Sequence, residues 1–193
     1  MQARLSAKTL ACRRGDRVLF RGLDLYVESG TALHITGANG VGKTSLLRIL
    51  AGLLTPFAGE VSHDGDIGLL DERPALDPEL PLAKALQFWA ALDGAQDLRE
   101  IAQRLNLIDL INVPVRYLST GQRKRAALAR LLGQQAPIWL LDEPLSGLDE
   151  ASRGLVEQLT KEHVAGGGLC VIASHQPLAI EGLQRLALEE FAQ

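Results

Sequence analysis

Apolar and polar positions alternate in the first third of the chain, and this pattern predicts strands there. In residues 3–28, short apolar runs flank a polar turn, RRGD, which predicts an antiparallel β unit. The run ALHIT at 32–36 is short and apolar, as expected for a buried strand. Residues 59–70, GEVSHDGDIGLL, predict a hairpin with Asp64-Gly65 at its turn, because Asp-Gly is a favoured pair in tight hairpins.

Further along the chain, the apolar residues recur at helical intervals. This spacing predicts helices over 44–54, 82–94, 97–111, 123–133 and 152–164. Two runs, IWLLD at 138–142 and LCVIAS at 169–174, are apolar throughout, which is typical of strands covered on both faces. Strand, helix and strand in repetition predict an α/β fold with a parallel sheet.

Length and composition favour one globular domain. The chain has 193 residues, 47% of them hydrophobic, and a net charge of −3 that gives no electrostatic reason to expect nucleic acid. We expect a core from about 1–71 and 134–193, and a helical insert over about 72–133. No apolar run reaches the roughly 18 residues of a membrane-spanning helix, and the first residues lack the core of a signal peptide. We therefore expect a soluble protein whose membrane role comes through a partner.

The cysteines give no sign of a disulfide framework or a zinc site. Cys12 and Cys170 are far apart in the sequence, and there is no CxxC pair or ladder of histidine ligands. We expect both to be small apolar fillers in a reducing compartment.

The segment GANGVGKT at 37–44 fits the phosphate-binding pattern GxxxxGK[ST], known as the P-loop. It follows a predicted strand and opens a predicted helix, and this context argues against a chance glycine-rich turn. Main-chain N–H groups and the positive end of the helix dipole would face a triphosphate. We expect Lys43 to reach the β- and γ-phosphates and the Thr44 hydroxyl to bind Mg²⁺. The predicted nucleotide-binding residues of this segment are Gly37, Ala38, Asn39, Gly40, Val41, Gly42, Lys43, Thr44 and Ser45.

Two acidic residues end the apolar strand in IWLLDEP. Asp142 is placed to hold Mg²⁺ at the end of a buried strand beside the P-loop strand. Glu143 follows it and can orient and polarise a water for attack on the γ-phosphate. A helix N-terminal acid pair would explain the same two residues, but a preceding P-loop favours the catalytic interpretation.

The segment LSTGQRKR at 118–125 predicts a helix start. Ser119 can cap this helix, and Gln122 three residues later completes a capping box. Gly121 then stands at the second helical position, where glycine costs about 1 kcal/mol relative to alanine. The local helix therefore gives no reason for a glycine at this position.

The order of these motifs resembles that of the ATP-binding cassette (ABC) ATPases over essentially the whole chain. The P-loop is followed by LSTGQ, the Asp-Glu strand end, SGLD at 146–149, and a strand that ends at His175. The resemblance implies a P-loop NTPase with a mixed sheet core, an N-terminal antiparallel β unit and a helical subdomain. It implies hydrolysis of ATP with Mg²⁺, and catalytic roles for Lys43, Glu143 and His175. A lone histidine at a strand end is otherwise usually an ordinary surface or core residue.

The resemblance also implies an ATP-dependent dimer. In this family the signature segment, here LSTGQ with Thr120 where Gly or Ala is commoner, contacts the γ-phosphate bound by a second subunit. Ser119, Gly121 and Gln122 would make that contact, and Asp149, in a segment similar to the D-loop, would lie across the interface and belong to the nucleotide-binding residues. Gly121 would then allow the helix start to approach a phosphate closely.

Two positions depart from the family pattern. Members usually place an aromatic residue upstream of the P-loop to stack on adenine, and here the nearest residue is Arg14, which can stack on a base by cation–π contact. The glutamine of the Q-loop is absent from DERPALD at 71–77, where Glu72 or Arg73 takes its place. We still expect hydrolysis, because the P-loop lysine, the acidic pair and the histidine are present.

In less specific features, the sequence resembles one branch of the family, the ATP-binding subunits of the bacterial haem exporter of cytochrome c biogenesis. These features are the short length, the missing aromatic residue and the segment SHQPL at 174–178. This implies a peripheral protein on the cytoplasmic face of the inner membrane, bound to a CcmB-like permease and acting with CcmC- and CcmE-like haem-handling proteins. Hydrolysis would drive release of the haem-loaded chaperone. The four histidines are scattered, so we expect no direct haem binding by this chain.

Phe88 and Trp89 are candidates for the contact with the permease, and local core packing is the alternative. Other functions also stay open. The chain could serve an exporter of another substrate, or it could be a nucleotide-gated binding module with little turnover, which the two departures favour and Glu143 opposes. An ABC protein that acts on ribosomes or DNA usually carries two cassettes or a long coiled-coil insert, and this sequence has neither.

Overall fold

The computed structural model describes residues 2–71, 74–94 and 97–192, and their strands form two sheets. The antiparallel sheet contains β1 (Arg4–Arg14), β2 (Arg17–Glu28) and β4 (Ala58–Asp64), with β1 in the middle. The other sheet is parallel and contains, in spatial order, β5 (Ile67–Leu70), β6 (Ile138–Asp142), β7 (Leu169–Ala173), β3 (Ala32–Thr36) and β8 (Gln184–Ala187).

Helices connect and cover the strands. The α-helices of the described residues are α1 (Lys43–Leu50), α2 (Leu82–Asp93), α3 (Leu98–Arg104), α4 (Thr120–Gln134) and α5 (Glu150–Ala165). Short 3₁₀ turns cover Ile108–Leu110, Val115–Tyr117 and Leu188–Phe191. The predicted α/β fold class is confirmed, whereas the sequence pattern does not predict β8 or the last 3₁₀ turn. The division into a core and an insert stays a prediction. Along the chain, α2, α3 and α4 all come after β5 and before β6.

The parallel sheet is buried on both faces, and each face packs against a different set of elements. On β6, Trp139 and Leu141 join a core shared with α2, α4 and α5. Leu140 joins the other core, shared with α1 and the antiparallel sheet. Successive side chains of a strand point to opposite faces, so an apolar run without alternation suits this three-layer arrangement.

The register of the parallel strands brings three strand ends to one edge of the sheet. Ile35 of β3 pairs with Ala173 of β7, and Ala173 pairs with Asp142 of β6. The loops that follow these strands therefore meet at the same edge, which is where parallel α/β sheets place their ligands.

The predicted hairpin over residues 59–70 is wrong. β4 pairs with β1 in the antiparallel sheet, where Asp64 lies opposite Arg4, whereas β5 pairs with β6, where Ile67 lies opposite Ile138. The polar β4 suits the exposed edge that it occupies, and the apolar β5 suits the covered parallel sheet. The Asp64-Gly65 pair carries the chain from one sheet to the other.

Two predicted helices are shorter than their apolar spacing indicates. The helix predicted over 44–54 ends at Leu50, because Gly52 adopts a φ of +72° and donates its N–H to Ile49 O. The N–H of Leu53 donates to Arg48 O, which completes a glycine-based C-cap. The helix predicted over 97–111 is divided, since Asn106 with a φ of +51° lies between α3 and the next 3₁₀ turn.

Other sequence-based expectations concern burial. Cys12 and Cys170 are free and buried, in agreement with their prediction as apolar fillers. Trp89 packs against the helical core with the Arg130 guanidinium 3.7 Å from its ring centroid, whereas Phe88 is exposed. Over the part of the chain that the structure describes, no helix has the length and apolar content needed to cross a bilayer.

Candidate functional site

The P-loop connects the end of β3 to the start of α1. Gly37, Gly40 and Gly42 have φ angles of +145°, +82° and +119°, a region that residues with a Cβ atom rarely adopt. Gly42 stands at the N-cap, so α1 begins at Lys43 with its first N–H groups beside the loop. This is the backbone arrangement that can surround an anion at a helix N-terminus.

Lys43 is almost fully buried beside its own loop. Its Nζ donates hydrogen bonds to Gly37 O at 2.7 Å and to Ala38 O at 3.3 Å. The same Nζ lies 3.9 Å from Glu143 Oε1, and the lysine side chain is only 7% exposed. The cation therefore lies between the loop carbonyls and the carboxylate that follows β6.

The Glu143 carboxylate lies at the centre of a set of donors. It accepts hydrogen bonds from the main-chain N–H of His175 at 3.2 Å and from His175 Nδ1 at 2.9 Å. Ser174 Oγ donates to it at 3.4 Å. The structure thus brings the three predicted catalytic residues, Lys43, Glu143 and His175, to one place.

A cavity of about 230 Å³ lies between the P-loop and this carboxylate. Its polar lining comes from both, and includes Asn39, Lys43, Thr44, Ser45 and Glu143. Asp142 is buried at the end of β6, one residue before Glu143, and does not line the cavity itself.

Arg14 lies near the P-loop, at the end of β1. Its Nε donates a 3.5 Å hydrogen bond to Ser45 Oγ on α1. The predicted Q-loop positions, Glu72 and Arg73, lie outside the described residues. Asp71, which precedes them, accepts a 2.8 Å hydrogen bond from Arg48 of α1.

The start of α4 shows the predicted capping box. Ser119 Oγ accepts the Gln122 N–H at 3.2 Å, and the Ser119 N–H donates to Gln122 Oε1 at 2.8 Å. Asp149 caps α5 in a similar way, since its Oδ1 accepts the Ser152 N–H at 2.8 Å. Hydrogen bonds from Ser152 lower the pKa of the Asp149 carboxyl. Ser119, Gln122 and Asp149, all predicted to bind nucleotide, do not line the P-loop cavity of their own chain.

Comparison with known proteins places the chain in a family. The family profile described as "ABC transporter" matches residues 20–146. The cytochrome c biogenesis ATP-binding export protein CcmA of Novosphingobium aromaticivorans is 57% identical over 187 residues, covering 97% of this chain and 96% of that protein. CcmA of Zymomonas mobilis is 51% identical over 191 residues, covering 98% of this chain and 86% of that protein. The chain belongs to the CcmA family of ABC transporter proteins.

The fold of this CcmA-family chain also matches solved structures. One is the ATP-binding cassette MJ0796, whose structure is of a dimer in a post-hydrolysis state bound to ADP and Pi. The TM-score is 0.79 at 24% identity, with 89% of this chain and 88% of that chain covered. At this identity the likeness shows the shared fold.

Sequence reasoning misses several polar contacts of the CcmA-family site. His34, buried in β3, has its Nε2 3.0 Å from Ser174 O, so that Nε2–H donates to this carbonyl. Burial lowers the pKa of this imidazole, although the hydrogen bond opposes the effect. Ala38 N–H donates to Glu189 Oε1 at 2.5 Å, and Lys124 Nζ donates to Glu143 O at 2.5 Å.

A sequence signal exists for one of these residues. His34 is a polar residue inside an otherwise apolar strand, and a buried polar side chain requires a hydrogen-bond partner. Lys124 and Glu189 lie in segments rich in charged residues, where nothing distinguishes them from solvated surface positions.

Proposed function

We propose that this chain is the ATP-hydrolysing subunit of an ABC export complex for cytochrome c biogenesis. The observation that carries the proposal is the position of the Glu143 carboxylate, which lies between Lys43 and His175 beside the P-loop cavity. The names of the curated relatives, which describe CcmA as an ATP-binding export protein, supply the biological setting.

The P-loop supports binding of the ATP triphosphate. Its glycines have no Cβ to obstruct phosphate oxygens, and the first N–H groups of α1 add a positive potential. Lys43, now bound to Gly37 O and Ala38 O, would exchange these carbonyls for β- and γ-phosphate oxygens. A charged phosphate oxygen is the stronger hydrogen-bond acceptor, so nucleotide would draw the ammonium into the cavity.

The donor set also fits Mg²⁺. Thr44 lines the cavity and Asp142 lies at the adjacent strand end, and their hydroxyl and carboxylate groups are hard oxygen ligands of the kind that Mg²⁺ prefers. When bound, the ion would neutralise charge that develops on the phosphates.

Glu143 is the proposed general base. Its carboxylate would accept a proton from water as the oxygen attacks the γ-phosphate. His175 orients this carboxylate through its main-chain N–H and Nδ1. Because Nδ1 is engaged by Glu143, Nε2 is the ring nitrogen available to a phosphate oxygen.

The signature residues support a dimer in which two copies face each other head to tail. Ser119, Gln122 and Asp149 lie outside the cavity of their own chain. Gly121, which lies beside them in the first turn of α4, would meet only ordinary contacts if it carried a Cβ atom, at 3.8 Å from Leu148 and 3.9 Å from Gly147. Contact with a γ-phosphate bound by a second subunit would explain the glycine at position 121, which the contacts of its own chain do not explain.

The proposed partners are those that the family resemblance implies. The chain would lie on the cytoplasmic face of the inner membrane as a peripheral subunit of a CcmB-like permease, with CcmC- and CcmE-like proteins handling haem. Its reaction would then be that of a haem-transporting ATPase class, with haem carried by the partners.

The test is the Glu143→Gln variant. Loss of the general base should slow ATP hydrolysis by about 10²–10⁴-fold, while ATP binding and the ATP-bound dimer persist. Glu181→Gln makes the same chemical change at an exposed position and should hydrolyse ATP at the wild-type rate. Normal turnover by Glu143→Gln would contradict the proposal.

The same variant tests which membrane proteins bind the chain. Tagged Glu143→Gln protein, recovered from native membranes in ATP, should bring down a small integral membrane protein and haem-handling factors. Recovery of a permease of another kind would indicate that the chain belongs to a different exporter. Recovery of the dimer without any membrane protein would favour a nucleotide-gated binding module.

A further inference from the structure

The main chain at Glu143 has an unusual conformation that other elements hold in place. Its φ is +45°, in the left-handed region that residues with a Cβ atom seldom adopt. Its N–H donates to Ala173 O of β7 at 2.8 Å, and its carbonyl accepts the Ser146 N–H at 3.2 Å. Such conformations persist where the surroundings fix them, and they concentrate at functional sites.

Lys124 binds the same carbonyl from a different element. Its Nζ lies 2.5 Å from Glu143 O, in a hydrogen bond assisted by the positive charge of the ammonium. Lys124 belongs to α4 and stands five residues after the capping residue Ser119. The N-terminal part of α4 and the main chain of Glu143 are therefore joined by one side chain.

The position of the Glu143 carboxylate depends on this main chain. The carboxylate makes its closest side-chain contact, 2.9 Å, with His175 Nδ1. A rotation of the peptide at Glu143 would move the carboxylate relative to His175 and the cavity. Attack by an oriented water is sensitive to displacements of this kind, since a misplacement of about 1 Å can cost on the order of 10²-fold in rate.

We propose that Lys124 is a positioning residue for ATP hydrolysis, which holds the Glu143 main chain and thereby ties the orientation of the base to the position of α4. This inference rests on the proposed role of Glu143. Because α4 begins at Ser119 and Gly121, a shift of α4 when a second copy docks would reach the base through Lys124. The link gives each subunit a means to hydrolyse its ATP only after α4 has docked.

The test compares three substitutions of matched size. Lys124→Met removes the charge and the donor, Lys124→Arg keeps both, and Lys161→Met makes the first change at an exposed position of α5. Lys124→Met should lower kcat by about 10- to 100-fold and leave the KM for ATP unchanged. Lys124→Arg should retain most of the wild-type kcat, and Lys161→Met all of it.

A double variant separates this role from a merely structural one. In the Glu143→Gln background, Lys124→Met should cause no further loss of residual hydrolysis, because the residue acts through Glu143. An unchanged kcat in Lys124→Met, a loss that Lys124→Arg does not restore, or an additive loss in the double variant would each overturn the inference. Normal turnover by Glu143→Gln alone would instead overturn the proposed function.

Discussion

At the residue scale, three of the side chains predicted to bind nucleotide already make hydrogen bonds within the chain. Ser119 and Gln122 cap α4 through one another, and Asp149 caps α5. These caps would be made in a single copy, before any nucleotide or second subunit is present. Gly121 differs, because the described residues around it give no steric reason for a glycine.

Because no described residue requires a glycine at position 121, the Gly121→Ala variant tests whether this position approaches a second subunit. A Cβ would lie 3.8 Å from its nearest described neighbour, so alanine fits the chain and should raise the free energy of unfolding by up to about 1 kcal/mol. The added methyl group should nevertheless impede approach of a phosphate from the second copy. We expect greater stability in urea together with slower hydrolysis.

Gly154→Ala supplies the control for that experiment. Gly154 lies within α5, and no described atom comes within 4 Å of its added Cβ. Its substitution should raise stability to a similar extent without changing hydrolysis. Equal ATPase rates in the two variants would argue against a role for Gly121 at a subunit interface.

At the element scale, local sequence patterns predict strands and helices well but do not show which strands pair. The Asp64-Gly65 turn signal is correct about a change of direction and wrong about a hairpin, because it contains no information on the sheet that each flanking strand joins. The proposed catalytic roles of Lys43 and Glu143 could be predicted from the P-loop pattern and the acidic strand end, whereas that of His175 depends on the resemblance to the ABC ATPases. The Lys124–Glu143 contact could not, because it joins two elements that no local pattern relates.

The β1–β4 pair depends on one close approach of main chains. Gly59 has a φ of +86°, and a Cβ there would lie 2.4 Å from Lys8 O and 2.6 Å from Thr9 O. Gly59→Ala should therefore combine left-handed strain of about 1–2 kcal/mol with an overpacking cost of about 1–3 kcal/mol. Urea unfolding should show a loss of roughly 2–5 kcal/mol.

Gly22→Ala isolates the strain component. Gly22 lies in β2 with a φ of +69°, and none of the described atoms lies within 4 Å of an added Cβ. Its substitution should cost only the strain, about 1–2 kcal/mol. Equal losses at the two positions would mean that β4 moves away from β1 at no cost.

At the scale of the whole molecule, distant parts of the chain build the site. Residues 37–45, 142–143 and 174–175 meet at one edge of the parallel sheet because β3, β6 and β7 are neighbours. The packing around the parallel sheet also covers two imidazoles, that of His34 almost completely and that of His163 in part. Burial lowers the pKa of His34, and it lowers the pKa of His163, which stacks on Trp139 at 3.9 Å between ring centroids.

These histidines should make stability depend on pH. Their pKa in the folded chain lies below the unfolded value of about 6.5, so the unfolded chain binds protons first as the pH falls. The free energy of unfolding should be constant above that pH and should decrease below it. Urea unfolding from pH 8 to pH 5.5, where most carboxyl groups stay ionised, measures this slope.

His163→Gln should reduce the slope, because one of the two imidazoles with a lowered pKa is removed. Its amide can still donate a hydrogen bond in the position where His163 Nε2 lies 3.2 Å from Leu169 O. A stability that does not change over this range in the wild-type chain would show that the folded protein protonates both histidines as readily as the unfolded one.

The place of β3 also has a consequence for synthesis on the ribosome. β3 lies between β7 and β8, so both of its hydrogen-bonding edges are satisfied by residues 169–187. A nascent chain that has exposed the P-loop but not those residues has a strand with two open edges and no neighbour to hold it. The P-loop site should therefore form only after residues 169–187 have left the ribosome, and a chain that ends before them should not bind nucleotide.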